Sequence, residues 1–322
     1  MSNQSLAEVQ RARALEQLTI DVGTAIMDAL RDPKVVEVML NQDGQVWVDR
    51  LGEGMRCLGL FSGRSARSVI ETTAGILGRV VNEDHPILEC RLPLDGSRFE
   101  AVLPPLSAEP VFTIRKKAPL VFTFDDYVSA GIMTSEQRQA LENAIRYRHN
   151  ILVCGSTGSG KTTLANAVLD CLARQDEHCR VVVIEDTPEL QVAVKNVVYF
   201  ETKSSPPRVD QTDLLKVTMR MRPDRIVVGE VRDGAALALL KAWNTGHPGG
   251  VGTVHANDSK AALIRIGQLV QEAGVPEQPE LIAEAVNVIV FISRTPTGRK
   301  VEDVSSVTGW SRERGYEVVR LA

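Results

Sequence analysis

The chain is 322 residues long, 43% of them hydrophobic, with a formal net charge of −4 and a mean hydropathy of −0.06; that length allows two domains, each able to bury a core. No stretch reaches the roughly 18 apolar residues that spanning a bilayer requires, and the polar run from Met1 to Arg13 offers no apolar core for a secretory signal. The acidic balance argues against general nucleic-acid binding.

Apolar residues at Leu6, Val9, Leu15, Leu18, Val22, Ile26 and Leu30 recur at helical spacing and predict an amphipathic helix over Ser5–Arg31, ended near Asp32 and Pro33. Strands are predicted over Val35–Leu40, Gln45–Asp49 and Met55–Leu60, then a helix over about Ser65–Val81. Two further strands, Phe99–Leu103 and Val111–Arg115, are separated by the break at Pro104 and Pro105. These elements make an α+β domain over residues 1–117. The stretch Ala118–Thr134 mixes Pro, Phe, Asp and Gly without steady periodicity and reads as a linker. Residues 135–322 form the second domain, opening with a helix over Ser135–Arg148.

Beyond it, helices alternate with short apolar strands, the pattern of a doubly wound parallel sheet. The predicted strands are Ile151–Cys154, Val181–Ile184, Val197–Phe200, Arg225–Val228 and Gly252–Thr253. Helices are predicted over Thr162–Ala173, Gln211–Met219, Gly234–Asn244, Lys260–Val270 and Pro279–Asn287. The tail, with strands over Val288–Ser293, Lys300–Thr308 and Tyr316–Leu321, reads as an antiparallel meander capping the sheet edge.

Between the first of these strands and its helix lies Gly155-Ser156-Thr157-Gly158-Ser159-Gly160-Lys161-Thr162, a complete G-x-x-x-x-G-K-[ST] phosphate loop, followed by Thr163. Glycines at 155, 158 and 160 allow backbone angles that turn successive N–H groups into one anion-sized hollow. The helix that follows adds its positive end. Lys161 can then reach the β- and γ-phosphates of a nucleotide, and the Thr162 hydroxyl can ligate Mg²⁺.

Three further blocks carry chemistry. Arg225–Glu230 is an apolar strand ending in a carboxylate, the form of a Walker B element; Glu230 could orient or deprotonate a water that attacks a phosphate, or be a surface residue at a strand end. Val181–Thr187 ends in Glu185 and Asp186, a second carboxylate-tipped strand suited to a metal and water site, or to simple turn formation. A glycine-rich stretch holds His247 and His255; an imidazole there could bond the γ-phosphate and report its loss.

These blocks, in this order, resemble the type II/IV secretion ATPase superfamily, and within it the conjugative, VirB-class type IV secretion ATPases. The resemblance rests on the phosphate loop, on Ile184-Glu185-Asp186-Thr187-Pro188-Glu189, on the run from Met221 to Arg232, and on the stretch from Gly246 to Asn257. It extends to Gly96–Pro105 and Phe112–Lys116 in the first domain. It implies an α/β fold: a P-loop RecA-like parallel-sheet domain after a smaller α+β domain, with ATP and Mg²⁺ held between them. It further implies a homohexameric ring, cytoplasmic and peripheral at the inner membrane, working with other components of a conjugative secretion machine on pilus biogenesis or substrate transfer. Lys161 and Thr162 then bind phosphate and Mg²⁺, Glu185 belongs to the acidic box, Glu230 to Walker B and His255 to the histidine box. Arg98 and Arg115 match first-domain arginines that reach the phosphates, and guanidinium forks suit phosphate oxygens. Arg220, Arg222 and Arg232 are candidates for bridging to a neighbouring subunit.

The departures from relatives are informative. Type II secretion and pilus-assembly ATPases often carry a four-cysteine zinc module, and the five cysteines here, at 57, 90, 154, 171 and 179, lack any C-x-x-C spacing; reduced thiols are the simpler reading. The Ala-Ile-Arg-Leu element of pilus-retraction motors is absent from the sequence. Glu230 is favoured over Glu185 as the general base. A DNA-translocating motor remains an alternative that the acidic balance and the lack of basic-aromatic interleaving disfavour, and no sequence-specific nucleic-acid binding is expected. The first helix could pack on its own domain or lie peripherally on anionic lipid.

Overall fold

The computed structural model describes residues 3–117, 121–203, 206–296 and 298–322, with side chains from residue 8 onward. The chain divides into two compact units, Met1–Pro119 and Leu120–Ala322.

The first unit holds α1 (Asn3–Arg31), β1 (Val35–Leu40), β2 (Gln45–Arg50), β3 (Gly54–Leu60), α2 (Gly63–Ile76), β4 (Ile87–Arg91), β5 (Arg98–Val102) and β6 (Val111–Arg115). Its six strands form one antiparallel sheet in the order β3-β2-β1-β6-β5-β4. Leu18, Val22 and Ile26 of α1 and Val69 and Ile70 of α2 share a core with Val38, Val48, Phe99 and Ile114 of the sheet. The helical spacing thus identified the buried stripe from Leu18 onward, whereas Val9 and Ile20 are exposed. The predicted single helix is broken at Gly23, whose φ of 73° lies outside helical geometry and which no side chain opposes. α2 stops short of Val81 because Gly78 turns left-handed (φ 64°) and Arg79 N–H returns to the Ala74 carbonyl. Strand β4 was not foreseen; only Leu88 of its five residues is buried, so it leaves little hydrophobic pattern.

The second unit runs α3 (Phe124–Ser129), α4 (Ser135–Arg146), β7 (Ile151–Gly155), α5 (Lys161–Gln175), β8 (Arg180–Glu185), β9 (Asn196–Glu201), α6 (Gln211–Thr218), β10 (Arg225–Val228), α7 (Ala235–Asn244), β11 (Val251–His255), α8 (Ser259–Gln271), α9 (Pro279–Ala285), β12 (Val288–Thr295), β13 (Gly298–Ser311) and β14 (Gly315–Arg320). The expected linker over 118–134 needs correction where it is described. Thr123 and Asp126 close a capping box on α3, and Phe124, Tyr127 and Met133 are buried in this unit's core. Residues 118–120 lie outside the described residues. A helix of six residues is too short to show a period in the sequence.

The sheet order is β14-β13-β12-β7-β11-β10-β8-β9, with the six strands from β12 to β9 mutually parallel and β13 and β14 antiparallel at one edge. Every residue of β7 and β10 is buried, as expected where helices cover both faces. Ile151 and Val153 point into the core with α4 and α5, Leu152 and Cys154 into the core with α7, α8 and α9. Because these strands run the same way, the segments after β7, β8, β10, β11 and β12 all open at one carboxyl edge. That edge is where ligands bind in open α/β sheets.

Candidate functional site

Residues 155–160 make the turn from β7 into α5. Gly158 and Gly160 are left-handed, at φ 72° and 98°, and Gly160 caps α5 with no side-chain bond to the first-turn amides. The amides therefore face outward, uncapped by the protein, at the positive end of a 15-residue helix. Gly155 has a different reason to be glycine: its φ is ordinary, but a Cβ there would run into the Ile292 carbonyl and lie 2.5 Å from Ser159 Oγ. The expectation that all three glycines supply unusual backbone angles holds for two of them. Ser156, Thr157 and Gly158 are exposed and Thr162 and Thr163 half-buried, while Ser159 Oγ is fully buried with no hydrogen-bond partner.

Lys161, only 8% exposed, folds back over the turn. Its Nζ donates to the Ser156 carbonyl at 2.9 Å and lies 3.1 Å from His255 Nδ1. His255, last residue of β11, brings Nε2 to 3.0 Å from Glu230 Oε1. Glu230 Oε2 accepts from Arg232 Nη2 at 2.5 Å, and Arg232 Nη1 lies 3.3 Å from Asp186 Oδ2. Asp186 in turn accepts from Thr202 Oγ1 at 2.9 Å and from Gln211 Nε2, which also donates to the Glu230 carbonyl. One polar chain thus links the phosphate loop to the tips of β11, β10 and β8.

The two carboxylate-tipped strands do not stand on either side of the loop. In the sheet, β11 lies next to β7, with β10 and then β8 beyond it, so both carboxylates are on one side. Glu185 is almost fully buried, and its Oε1 accepts from Glu189 N–H at 2.8 Å and Leu190 N–H at 2.9 Å. Asn166 of α5 holds the same loop, accepting from Gln191 N–H and donating to the Glu189 carbonyl. Among the described residues no group of three or more His, Cys, Asp or Glu forms a metal-holding cluster.

Other sequence candidates are elsewhere. His247 precedes β11, at the opposite end from His255, and its Nδ1 lies 2.9 Å from the Pro223 carbonyl; the two histidines are not together. Gly250 and Gly252 make room for Trp243, since a Cβ on Gly250 would overlap Trp243 Nε1 and one on Gly252 would lie 3.3 Å from Trp243 Cη2. Arg220 and Arg222 precede β10, again at the far end, whereas Arg232 is part of the polar chain. In the first unit, Arg98 and Arg115 are register partners on β5 and β6, and Arg98 Nη2 lies 3.2 Å from Glu89 Oε1. Arg232 was singled out in the sequence but for another task; its position two residues after Glu230 could have suggested the pairing.

Comparison with known proteins agrees with the sequence blocks. Residues 21–308 match the family described as type II/IV secretion system protein. The chain is 48% identical over 306 residues to the probable conjugal transfer protein TrbB of Sinorhizobium fredii, covering 95% of this chain and 93% of that protein. It is 45% identical over 310 residues to the conjugal transfer protein TrbB of Rhizobium radiobacter, covering 96% and 95%. It is also 29% identical over 321 residues to the type IV secretion system protein VirB11 of Bartonella henselae, covering 85% and 89%. Among solved structures it shares its fold with the ATPase DotB of Yersinia pseudotuberculosis, at a TM-score of 0.60 and 15% identity over 89% of this chain and 78% of that one. The resemblance to the conjugative branch is borne out, and the chain belongs to the type II/IV secretion system protein family.

Proposed function

We propose that the chain is an ATP-hydrolysing motor of a conjugative type IV secretion apparatus. The observation that carries this reading is the pairing of an uncapped phosphate loop with His255 and Glu230, 3.0 Å apart at the same sheet edge. Relatives named for conjugal transfer and type IV secretion supply the cellular task.

ATP fits the residues present: two left-handed glycines, outward amides and a cation are the donor set of a phosphate cradle. Amides of Ser156 to Thr163 bind the phosphates, and Lys161 leaves His255 for the β- and γ-oxygens. Mg²⁺ fits too: the Thr162 hydroxyl would hold it, and it would supply charge neutralisation on the transferred group. Glu230 orients the attacking water and takes its proton, while the bond from the γ-phosphorus to the bridging oxygen breaks, giving ADP and phosphate. His255 senses the γ-phosphate through Lys161, whose departure takes the donor away from Nδ1. Glu185 acts as a positioning residue: with Oε1 on two amides, it fixes the loop that carries Asp186. A phosphate-binding role for Arg98 and Arg115 rests on the family resemblance alone. The working form is a homohexamer at the cytoplasmic face of the inner membrane, in contact with other secretion components. Among the described residues no helix is long and apolar enough to cross a membrane.

Purified protein is the test. Wild type should turn over Mg-ATP slowly as an oligomer whose mass responds to a non-hydrolysable analogue. Lys161→Ala should abolish nucleotide binding, and Glu230→Gln should bind ATP yet lose hydrolysis. Unchanged hydrolysis in either variant would refute the assignment.

A further inference from the structure

The hairpin joining β12 to β13 opens at the same carboxyl edge as the phosphate loop, because β12 runs parallel to β7 and beside it. Ile292 and Val301, register partners near its base, are buried in the core shared with α5. Two residues further along the same face the partners are Arg294 and Arg299. Both are exposed, and among the described residues no carboxylate pairs with either guanidinium. Like charges directly opposite each other on two strands are destabilising. The Arg299 stem is held against the loop: a Cβ built on Gly160 would lie 2.9 Å from Arg299 Cδ and 3.2 Å from its Nε, with Ile292 Cδ1 at 3.7 Å. Arg299 therefore brings an unneutralised cation to the positive end of α5, with Arg294 opposite it on the hairpin.

The strand order says which part of a nucleotide they would meet. His255 and Glu230 end β11 and β10, on one side of β7; the hairpin stands on the other. A nucleotide in the loop with its γ-phosphate toward His255 and Glu230 must run its α-phosphate toward β12. We propose that Arg294 and Arg299 grip the α-phosphate end of the nucleotide and so bind ATP and ADP alike. This inference rests on the nucleotide-binding reading above. It gives the like-charged hairpin an anion to hold, and keeps ADP seated after the γ-phosphate has gone. Gly160 is then glycine twice over, for its left-handed turn and for the Arg299 stem that lies against it.

Isothermal titration of full-length protein with Mg-ADP and Mg-ATP tests it. Arg299→Ala should weaken both nucleotides by the same factor, about tenfold for one charge-assisted contact. Arg299→Lys should recover part of that loss, and the Arg294→Ala/Arg299→Ala double variant should lose more, again equally for both. Unchanged binding of both nucleotides to the double variant, or a loss confined to ATP, would overturn the inference while leaving the loop assignment intact. Wild-type protein that titrates with neither nucleotide overturns the underlying reading and this one with it. Both side chains are exposed, so a folding defect is not expected to obscure the outcome.

Discussion

Glu230 and His255 come from neighbouring strands and meet with Oε1 3.0 Å from Nε2. The partner on the other ring nitrogen fixes the tautomer. Lys161 Nζ, at 3.1 Å from Nδ1, can only donate, so Nδ1 accepts and Nε2 carries the proton toward the carboxylate. His255 thereby conveys the position of the loop lysine to Glu230. When phosphate draws Lys161 away, Nδ1 loses its donor and the Glu230 contact is altered with it.

That geometry makes a graded prediction for His255. His255→Gln keeps an amide able to accept at one end and donate at the other, whereas His255→Leu removes both. Hydrogen bonds to charged groups contribute about 1.5–3 kcal/mol, so kcat in the leucine variant should fall about 10- to 100-fold, with the glutamine variant between it and wild type. Steady-state kinetics at fixed Mg²⁺ provide the comparison. Equal rates in the leucine variant and wild type would remove His255 from the site.

Arg232 permits a sharper separation of structure from chemistry. It is nearly half-exposed and spans Glu230 and Asp186, so its contribution to stability should be small, within about 1 kcal/mol. Its contribution to the orientation of Glu230 should be larger. For Arg232→Ala we expect a nearly unchanged melting temperature, an unchanged KM for ATP, and a kcat lowered about tenfold. Arg232→Lys, which keeps charge but loses the fork, should restore part of kcat. A variant that melts earlier but hydrolyses normally would make Arg232 a structural brace only.

Legibility in the sequence followed the physics of each element. Strands β7, β8 and β10 are buried on both faces, so unbroken apolar runs such as Val181–Ile184 announced them. The turn from β7 into α5 was readable because its glycines, lysine and threonine stand at a fixed spacing between an apolar strand and a helix. Strand β4 is mostly solvent-facing and α3 is shorter than two turns, so neither shows a period. His247 and His255 looked like a pair because they are close in the chain, yet β11 separates them by its whole length. The chain from Lys161 to Asp186 and the Arg299 stem against Gly160 depend on strand order, which sequence periodicity does not encode.

Cysteine reactivity is a direct check on burial. Cys57 is exposed on β3. Burial pushes the Cys90 thiol up to about 12 and raises those of Cys154, Cys171 and Cys179 as well. Since the thiolate is the nucleophile, brief iodoacetamide treatment at mildly alkaline pH should add one carbamidomethyl group, and peptide mapping should locate it at Cys57. Rapid labelling of Cys154 would contradict the placement of β7 in the sheet interior.

Gly250 tests the reassignment of the glycine-rich stretch from ligand contact to packing. Trp243 is 3% exposed and donates Nε1–H to the Ile226 carbonyl at 3.2 Å. A Cβ on Gly250 would overlap that Nε1 and lie 2.5 Å from the same carbonyl, so Gly250→Ala must displace the indole or the β10 backbone. Overpacking of this kind costs about 1–3 kcal/mol, to which the strained indole hydrogen bond adds. At Gly246 the cause is different: φ is 95° with nothing within 4 Å of a Cβ, so alanine there costs only its left-handed backbone, about 1–2 kcal/mol. Denaturant unfolding followed by tryptophan emission should therefore show Gly250→Ala destabilised with a shifted native spectrum, and Gly246→Ala destabilised with the native spectrum retained. A native spectrum and midpoint unchanged in Gly250→Ala would mean that the indole does not pack on this glycine, and would return the stretch to the ligand-contact reading.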